Sequence, residues 1–469
     1  MHMTAKVYSR KVKWIVILLL GVYTNGWSNI KSDIFTDSLP KVTPKKFTPF
    51  IEYLSVNAAQ NRINFWIRKQ DWADVNPTVW KRNLKTGFQT DGDRFSTNFL
   101  GHPINGSWYY NIARSSGYNY WQSAPQALFG SLIWEFFCEN EPASEIDINT
   151  TSFGGIHLGE MTHRLSTFLL ANHKNRRFKT ARALGSLVLD PMGSINGLMF
   201  ADVKNYRQDK SHGGFPVRSF LSVGANLPYA LNDDLYLPKR AHVKYHLIYG
   251  DLFSKTTIFR PFDFFVVQAW VDIAPDDEKN RLLPNITSNA SVARFSISDN
   301  FLLGISQHYD FMNNHIFDQG DVAITTDLTY KMQTNNVRMI ATLKGGVVLF
   351  GSTSSDIIPY LKSIGQIENN RNYVYGNGFT IESQVLLDFK KLGVISLNNN
   401  SWFLFNRSDI KGTENSQITT FTYSIPIANN HSLLSEYYNY NRQSHYNANG
   451  FTDAKKGYSE FRLGIRYAF

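Results

Sequence analysis

The chain has 469 residues, 48 lysines and arginines against 38 aspartates and glutamates (formal net charge +10, pI near 9.3), 18% charged residues and a mean hydropathy of −0.29. That balance excludes a disordered polyelectrolyte and a bundle of membrane helices, and the basic residues are scattered rather than gathered on one stripe, so nucleic acid is not expected as a partner. The single cysteine, Cys138, excludes an intramolecular disulfide and a cysteine-based zinc cluster.

The first element is an export signal. In KVYSRKVKWIVILLLGVYTNGWSN, the basic Lys6, Arg10, Lys11 and Lys13 precede an apolar run from Trp14 to Tyr23, and small and polar residues follow. This is the layout of a secretory signal peptide, with a run too short to span a bilayer. The expected boundaries are residues 1–28 for the signal, with cleavage near Gly26 to Ser28, and residues 29–94 for an N-terminal periplasmic or linker segment. No cysteine follows the apolar run, which argues against a lipoprotein anchor.

Residues 95–200 read as helical. SAPQALFGSLIWEFFCEN has Pro125 near a start, and SFGGIHLGEMTHRLSTFLLANH places Ile156, Gly159, His163 and Thr167 on one stripe. RRFKTARALGSLVLD forms a third helix stopped by Pro191. These segments carry too many polar residues to lie bare in lipid, so they are expected in the lumen or at the mouth of a barrel.

From about Pro216 the period changes to two, and residues 201–469 read as the barrel. Val243, Tyr245, Leu247 and Tyr249 alternate with His242, Lys244, His246 and Gly250; Phe301, Leu303, Ile305, Tyr309 and Phe311 share another face. Clusters such as NDD, APDDEKN, NNH, QTNN, NNRN and LNNN read as turns. About twelve such runs, several longer than the five or six residues of a soluble strand, predict a transmembrane antiparallel β-barrel. No segment approaches the ~20 apolar residues of a spanning helix, and closure is what satisfies strand backbones in lipid. The last strand, YSEFRLGIRYAF, puts Phe461, Leu463, Ile465, Tyr467 and Phe469 on one face, in the manner of outer-membrane barrels whose final aromatic is read by the assembly machinery. The expected fold is thus mainly β, about twelve strands with an N-terminal helical block in or under the barrel. The expected location is the outer membrane of a Gram-negative cell.

The densest chemistry lies in the helical block: Asn98, His102 and Pro103; Gly106 to Asn111; Ala113, Arg114 and Gly117; Trp134 and Glu135; Glu141-Pro142; Ser144 and Asp147; Gly154-Gly155; Gly159-Glu160; and His163-Arg164-Leu165. On these residues the chain resembles an exported Gram-negative family catalogued as a domain of unknown function, a helical marker block followed by an outer-membrane barrel. Where members read Pro-Ser and Asn-Asp, this chain has Ala143-Ser144 and Ile146-Asp147. The resemblance implies architecture and address and carries no activity.

Three readings of the block follow from its residues. In the first it is structural: Gly155-x-x-x-Gly159 allows close helix contact, and Glu135, Glu160 and Arg164 form buried ion pairs. In the second, His102, Glu135, Asp147, Glu160, His163 and Arg164 form a site acting on an envelope lipid or glycan, with Ser107, Ser131 or Ser144 as nucleophile; no G-x-S-x-G fixes a triad. No cofactor is expected, and a divalent metal is supported only by Glu160-x-x-His163, for which no second such motif is present. In the third, the block gates a small-solute path lined by Lys244, His246, Asp310, Asp327, Lys331, Arg462 and Arg466. The leading expectation is a structural or gating block, the enzyme being the alternative. The partners expected are outer-membrane lipids and, through Phe469, the barrel-assembly machinery.

Overall fold

The computed structural model describes residues 42–90, 92–171, 178–209, 212, 214–230, 239–254, 259–274, 282–313, 318–365, 371–407, 411–447 and 451–469. The expected signal peptide lies outside them. The chain divides into a helical unit, up to Gly92 and from Leu100 to Gly214, and a barrel unit comprising Asp93–Phe99 and Phe215–Phe469.

In the helical unit the described α-helices are α1 (Thr48–Arg62), α2 (Pro77–Thr86), α3 (His102–Ser115), α4 (Tyr120–Phe137), α5 (Glu145–Asn149), α6 (Gly155–Leu170), α7 (Lys179–Leu189), α8 (Pro191–Met199) and α9 (Ala201–Arg207). The stretch expected as a linker therefore carries α1 and α2. Helix α4 begins at Tyr120, not near Pro125, because Asn119 and Gln122 form a reciprocal capping box that starts the helix a full turn earlier. Pro191 does end α7, and it also opens α8, whose buried Gly193 N–H is capped by Asp190 at 2.7 Å. The close contact expected of Gly155 is with Gly106 on α3: a Cβ on Gly106 would come within 1.8 Å of the Thr151 carbonyl oxygen, and one on Gly155 within 2.5 Å of the Gly106 backbone. Gly159 abuts the Tyr110 side chain in the same crossing.

The barrel unit is a closed antiparallel sheet of twelve strands: β1 (Val217–Ala230), β2 (Arg240–Tyr249), β3 (Phe265–Ile273), β4 (Leu282–Ser296), β5 (Phe301–Asn313), β6 (Asp318–Gln333), β7 (Arg338–Ser354), β8 (Tyr373–Asp388), β9 (Val394–Asn406), β10 (Gly412–Ala428), β11 (His431–Tyr446) and β12 (Ala454–Ala468). Each strand pairs with its sequence neighbour, and β1 pairs with β12, with Val223 opposite Ile465. The closing strand points Phe461, Leu463 and Ile465 outward, while Glu460 and Arg462 are buried within. The alternation of β2 resolves the same way: Val243 and Tyr245 are exposed, His242 and Lys244 buried. QTNN lies at the β6–β7 turn, where the Thr334 hydroxyl accepts from the Val337 N–H. LNNN, expected as a turn, lies inside β9, where Asn399 and Asn398 find side-chain partners on the flanking strands, Thr419 and Gln384.

The lumen is filled by side chains. Trp402, Leu404, Ile418 and Tyr440 pack with Met312, Ala323 and Val348, joined by Trp270, Tyr438 and Tyr458, so inward residues from β3, β5–β7 and β9–β12 meet in one apolar cluster. Several ionisable residues around it are paired: Lys244 with Glu436 at 2.7 Å, Arg240 and Arg462 with Glu460, and His308 with Glu382 at 2.8 Å. The lumen histidines are buried, His308 3% exposed and His242 1%, because they face inward on β5 and β2. The Tyr-rich stretch EYYNYNRQSHYN runs within β11 almost to its end and sends Glu436, Tyr440 and Arg442 inward.

On the outer wall, the row Tyr309, Phe311, Phe350 and Tyr373 continues the lipid-type face yet is buried. It is covered by the segment Asp93–Phe99. Phe95 stacks on Phe311 at 5.1 Å and Phe99 on Phe350 at 5.8 Å. The Tyr309 hydroxyl donates to the Phe99 carbonyl at 2.6 Å, and Asn98 donates to the Tyr373 hydroxyl at 2.8 Å. Gly320 of β6 has no side chain because a Cβ there would meet the Phe99 ring at 2.7 Å. The start of β8 thus supplies Tyr373 and Tyr375 to this covered patch.

Candidate functional site

The six residues singled out in the sequence fall into two places within the helical unit. His102, the first residue of α3, Glu135 near the end of α4 and Asp147 in the short α5 come together, with one donor atom from each within 4.8 Å of the other two. Their exposures are 8%, 1% and 4%. The His102 Nε2 lies 3.5 Å from Asp147 Oδ2, and its Nδ1 lies 3.1 Å from the Thr151 hydroxyl. Glu135 Oε2 accepts from the Ser144 N–H at 2.8 Å, and the Ser144 hydroxyl accepts from the Asp147 N–H at 3.1 Å.

Sequence chemistry explains how these positions are held. Ser144 is the N-cap of α5, so its hydroxyl takes the N–H that a short helix would otherwise leave without a partner. The strand-like residues before it are pinned by Gln89, whose N–H donates to Ala143 O at 2.8 Å and whose carbonyl accepts from the Glu145 N–H at 2.9 Å. One residue, Ser144, therefore positions two carboxylates.

Glu160, His163 and Arg164, on α6, lie in a different setting. Glu160 is fully buried and clamped: Arg114 Nε reaches Oε2 at 2.8 Å, Arg164 Nε reaches Oε1 at 2.8 Å, and the Tyr110 hydroxyl donates to Oε2 at 2.7 Å. Burial alone would raise its pKa, but the two guanidinium groups outweigh it and hold the carboxyl at about 2. His163 turns to Asp190, with Nδ1 3.5 Å from Oδ2, and its ring stacks on Tyr206. Burial lowers the His163 pKa, only partly offset by Asp190. Asp190 is itself held low: burial opposes ionisation, but Arg207 at 3.0 Å, His163 and the Gly193 N–H favour the carboxylate.

Glu160-x-x-His163 thus sends its two side chains to separate partners. The ion-pair reading describes Glu160 and Arg164, whereas Glu135 is held by a backbone N–H. Among the proposed nucleophiles, Ser107 donates to Ile104 O at 2.6 Å and Ser144 serves as a cap. Sequence reasoning did not name Tyr110, Asp190 or Arg207 as site residues. Asp190-Pro191, an N-cap followed by a helix-opening proline, was the available signal for Asp190; Arg207 lies beyond the block considered.

Chemically, the first cluster offers one imidazole and two carboxylates, a set suited to proton transfer or to holding a cation. The second is a saturated charge network, with every Glu160 oxygen engaged by a donor.

Residues 87–192, most of them in the helical unit, match the family model of a domain of unknown function, DUF3943. Both clusters lie within the match except Tyr206 and Arg207. No curated protein matches the chain. Among solved structures, the chain is similar to the KdgM porin at 10% identity and a TM-score of 0.26, covering 54% of this chain and 99% of that one. An anion-selective porin from Comamonas acidovorans matches at 10% identity and a TM-score of 0.22, over 54% of this chain and all of that one. The outer membrane channel DcaP of Acinetobacter baumannii matches at 8% identity and 0.23, over 54% and 97%.

Proposed function

We propose that the chain is an outer-membrane protein whose barrel is shut at rest by its own inward side chains, and that it serves the envelope as a membrane anchor for a rigid helical unit. The observation that carries this reading is the cross-lumen cluster of Trp402, Leu404, Ile418 and Tyr440 with Met312, Ala323 and Val348. An open diffusion pore keeps water along its axis, and here that space holds packed apolar groups flanked by paired charges. The outer-membrane placement is supported by the exposed belt that includes Phe301, Leu303, Ile324, Leu328, Phe379 and Ile381, and by a sheet closed without edges.

The test is conductance of the full-length protein in planar lipid bilayers, with folding checked by heat-modifiable migration. Wild-type protein is expected to give no stepwise current. Trp402→Ala with Tyr440→Ala removes two members of the cluster and is expected to produce steps while the barrel stays folded. Stable ohmic channels from the wild type would overturn the reading.

A further inference from the structure

We propose that His102, Glu135 and Asp147 bind one divalent first-row transition-metal ion, an inference that stands independently of whether the lumen conducts. Three elements distant in sequence, α3, α4 and α5, deliver one nitrogen and two carboxylate donors to a common point within 4.8 Å. The 3.5 Å from His102 Nε2 to Asp147 Oδ2 is close to the edge of a tetrahedron of ligands about 2.0–2.2 Å from zinc, which is about 3.3–3.6 Å.

The surrounding bonds match what a metal site needs. Metal-ligating imidazoles are oriented by a contact at the other ring nitrogen, and here Thr151 takes Nδ1 while Nε2 points to the cluster. Ser144 fixes Glu135 through its N–H and the backbone of Asp147 through its hydroxyl, and Gln89 pins the segment carrying Ser144. Two buried carboxylates this close repel one another when both are ionised, and a dication relieves that repulsion. The nitrogen donor favours zinc or iron over magnesium and calcium, which take oxygen ligands, while the two carboxylates also suit manganese. Three protein ligands leave at least one coordination position for water or a substrate oxygen.

The experiment uses untagged full-length protein in detergent, stripped by chelator and offered Zn²⁺, Mn²⁺, anaerobic Fe²⁺ or Co²⁺ separately. At least one of these ions is expected to remain at one equivalent per chain after gel filtration. Co²⁺ is expected to develop visible d–d bands, with one imidazole nitrogen and oxygen neighbours in its X-ray absorption. Asp147→Asn and Glu135→Gln are expected to abolish stoichiometric retention, and Thr151→Val to weaken affinity about 10–100-fold. Wild-type protein that retains none of the four ions overturns the proposal, as does retention by the Asn and Gln variants at wild-type affinity. Should those variants misfold, the wild-type stoichiometry and the cobalt coordination decide.

Discussion

The barrel and the helical unit both bury charge, but they do so for different reasons. In the barrel, the sheet's outer face is apolar, so alternation forces every second residue inward, and charged residues must find partners around the lumen. Lys244 with Glu436, and Arg462 with Glu460, are consequences of that geometry. In the helical unit no alternation compels Glu160 inward; it is drawn there by a helix crossing tight enough to require glycine at 106 and 155. Once buried, it is engaged by Arg114, Arg164 and Tyr110. A charged residue in the lumen is thus one of many replaceable fillers, whereas Glu160 is the centre of a single clamp.

The largest expected effect tests that contrast. Glu160→Ala leaves two guanidinium groups facing each other in a buried site, and breaking such a pair costs about 3–5 kcal/mol. The helical signal at 222 nm is expected to melt well before the barrel loses heat-modifiability. Glu436→Ala removes one partner of Lys244, but the lumen network around it can redistribute, so a smaller loss is expected. Equal losses would break the comparison. Next comes Phe99→Ala, which removes the ring stacked on Phe350 and uncovers Gly320; a buried Phe→Ala change costs about 3–5 kcal/mol, reduced here because a short strap can detach on its own. Faster proteolysis at residues 93–99 with an intact barrel is the expected readout.

Acid acts on the helical unit through four buried or partly buried groups. His212 is lowered by burial to about 4, and His163 moves in the same direction, so both favour the folded state above pH 6.5 and withdraw that support as pH falls. Glu160, held at about 2, supports folding above pH 4.5 and loses that support between 4.5 and about 2. Glu52 runs the other way: burial raises it to about 7, so its folded-state penalty disappears as pH falls from 7 to 4.5. Between pH 7 and 4.5 the Glu52 gain offsets the His212 loss, so the urea midpoint of the helical unit is expected to fall there only by the His163 contribution and to drop more steeply below 4.5. Glu52→Gln should expose the histidine contribution, with the fall starting near pH 6.5. For His212 and Glu160, each shifted by about 2.5 pKa units, the loss is roughly 3 kcal/mol.

Why one unit was legible and the other only in part follows from range. A strand's inside–outside pattern is local and repeats every two residues, so the strand number, the closing strand and the faces of β2 and β5 could be read from the residues. The filling of the lumen could not, because Trp402 and Met312 meet across the barrel and nothing in either strand announces the other. The outer-wall strap was illegible for the same reason: Phe95 and Phe311 stand far apart in sequence. In the helical unit, His102, Glu135 and Asp147 stood out by residue type, but the grouping of Glu160 and His163 with them did not follow, since helical spacing says which residues share a face and not what that face meets. Asn-rich LNNN misled because Asn serves a turn through its own backbone and a strand through its neighbours' side chains equally well.

The smallest expected effect closes the comparison from the solvent side. Arg338 and Asp388, at the turn end of β7 and β8, lie 3.3 Å apart with side chains 41% and 26% exposed. Water screens this pair and either partner can be solvated alone, so Arg338→Ala is expected to change barrel stability by less than about 1 kcal/mol. The same chemistry buried in the helical unit, Arg114 with Glu160 at 2.8 Å, is expected to cost several times more. If the exposed pair proved as costly as the buried one, distance from water would not be what sets the value of charge pairs in this molecule, and the clamp at Glu160 would lose its physical basis.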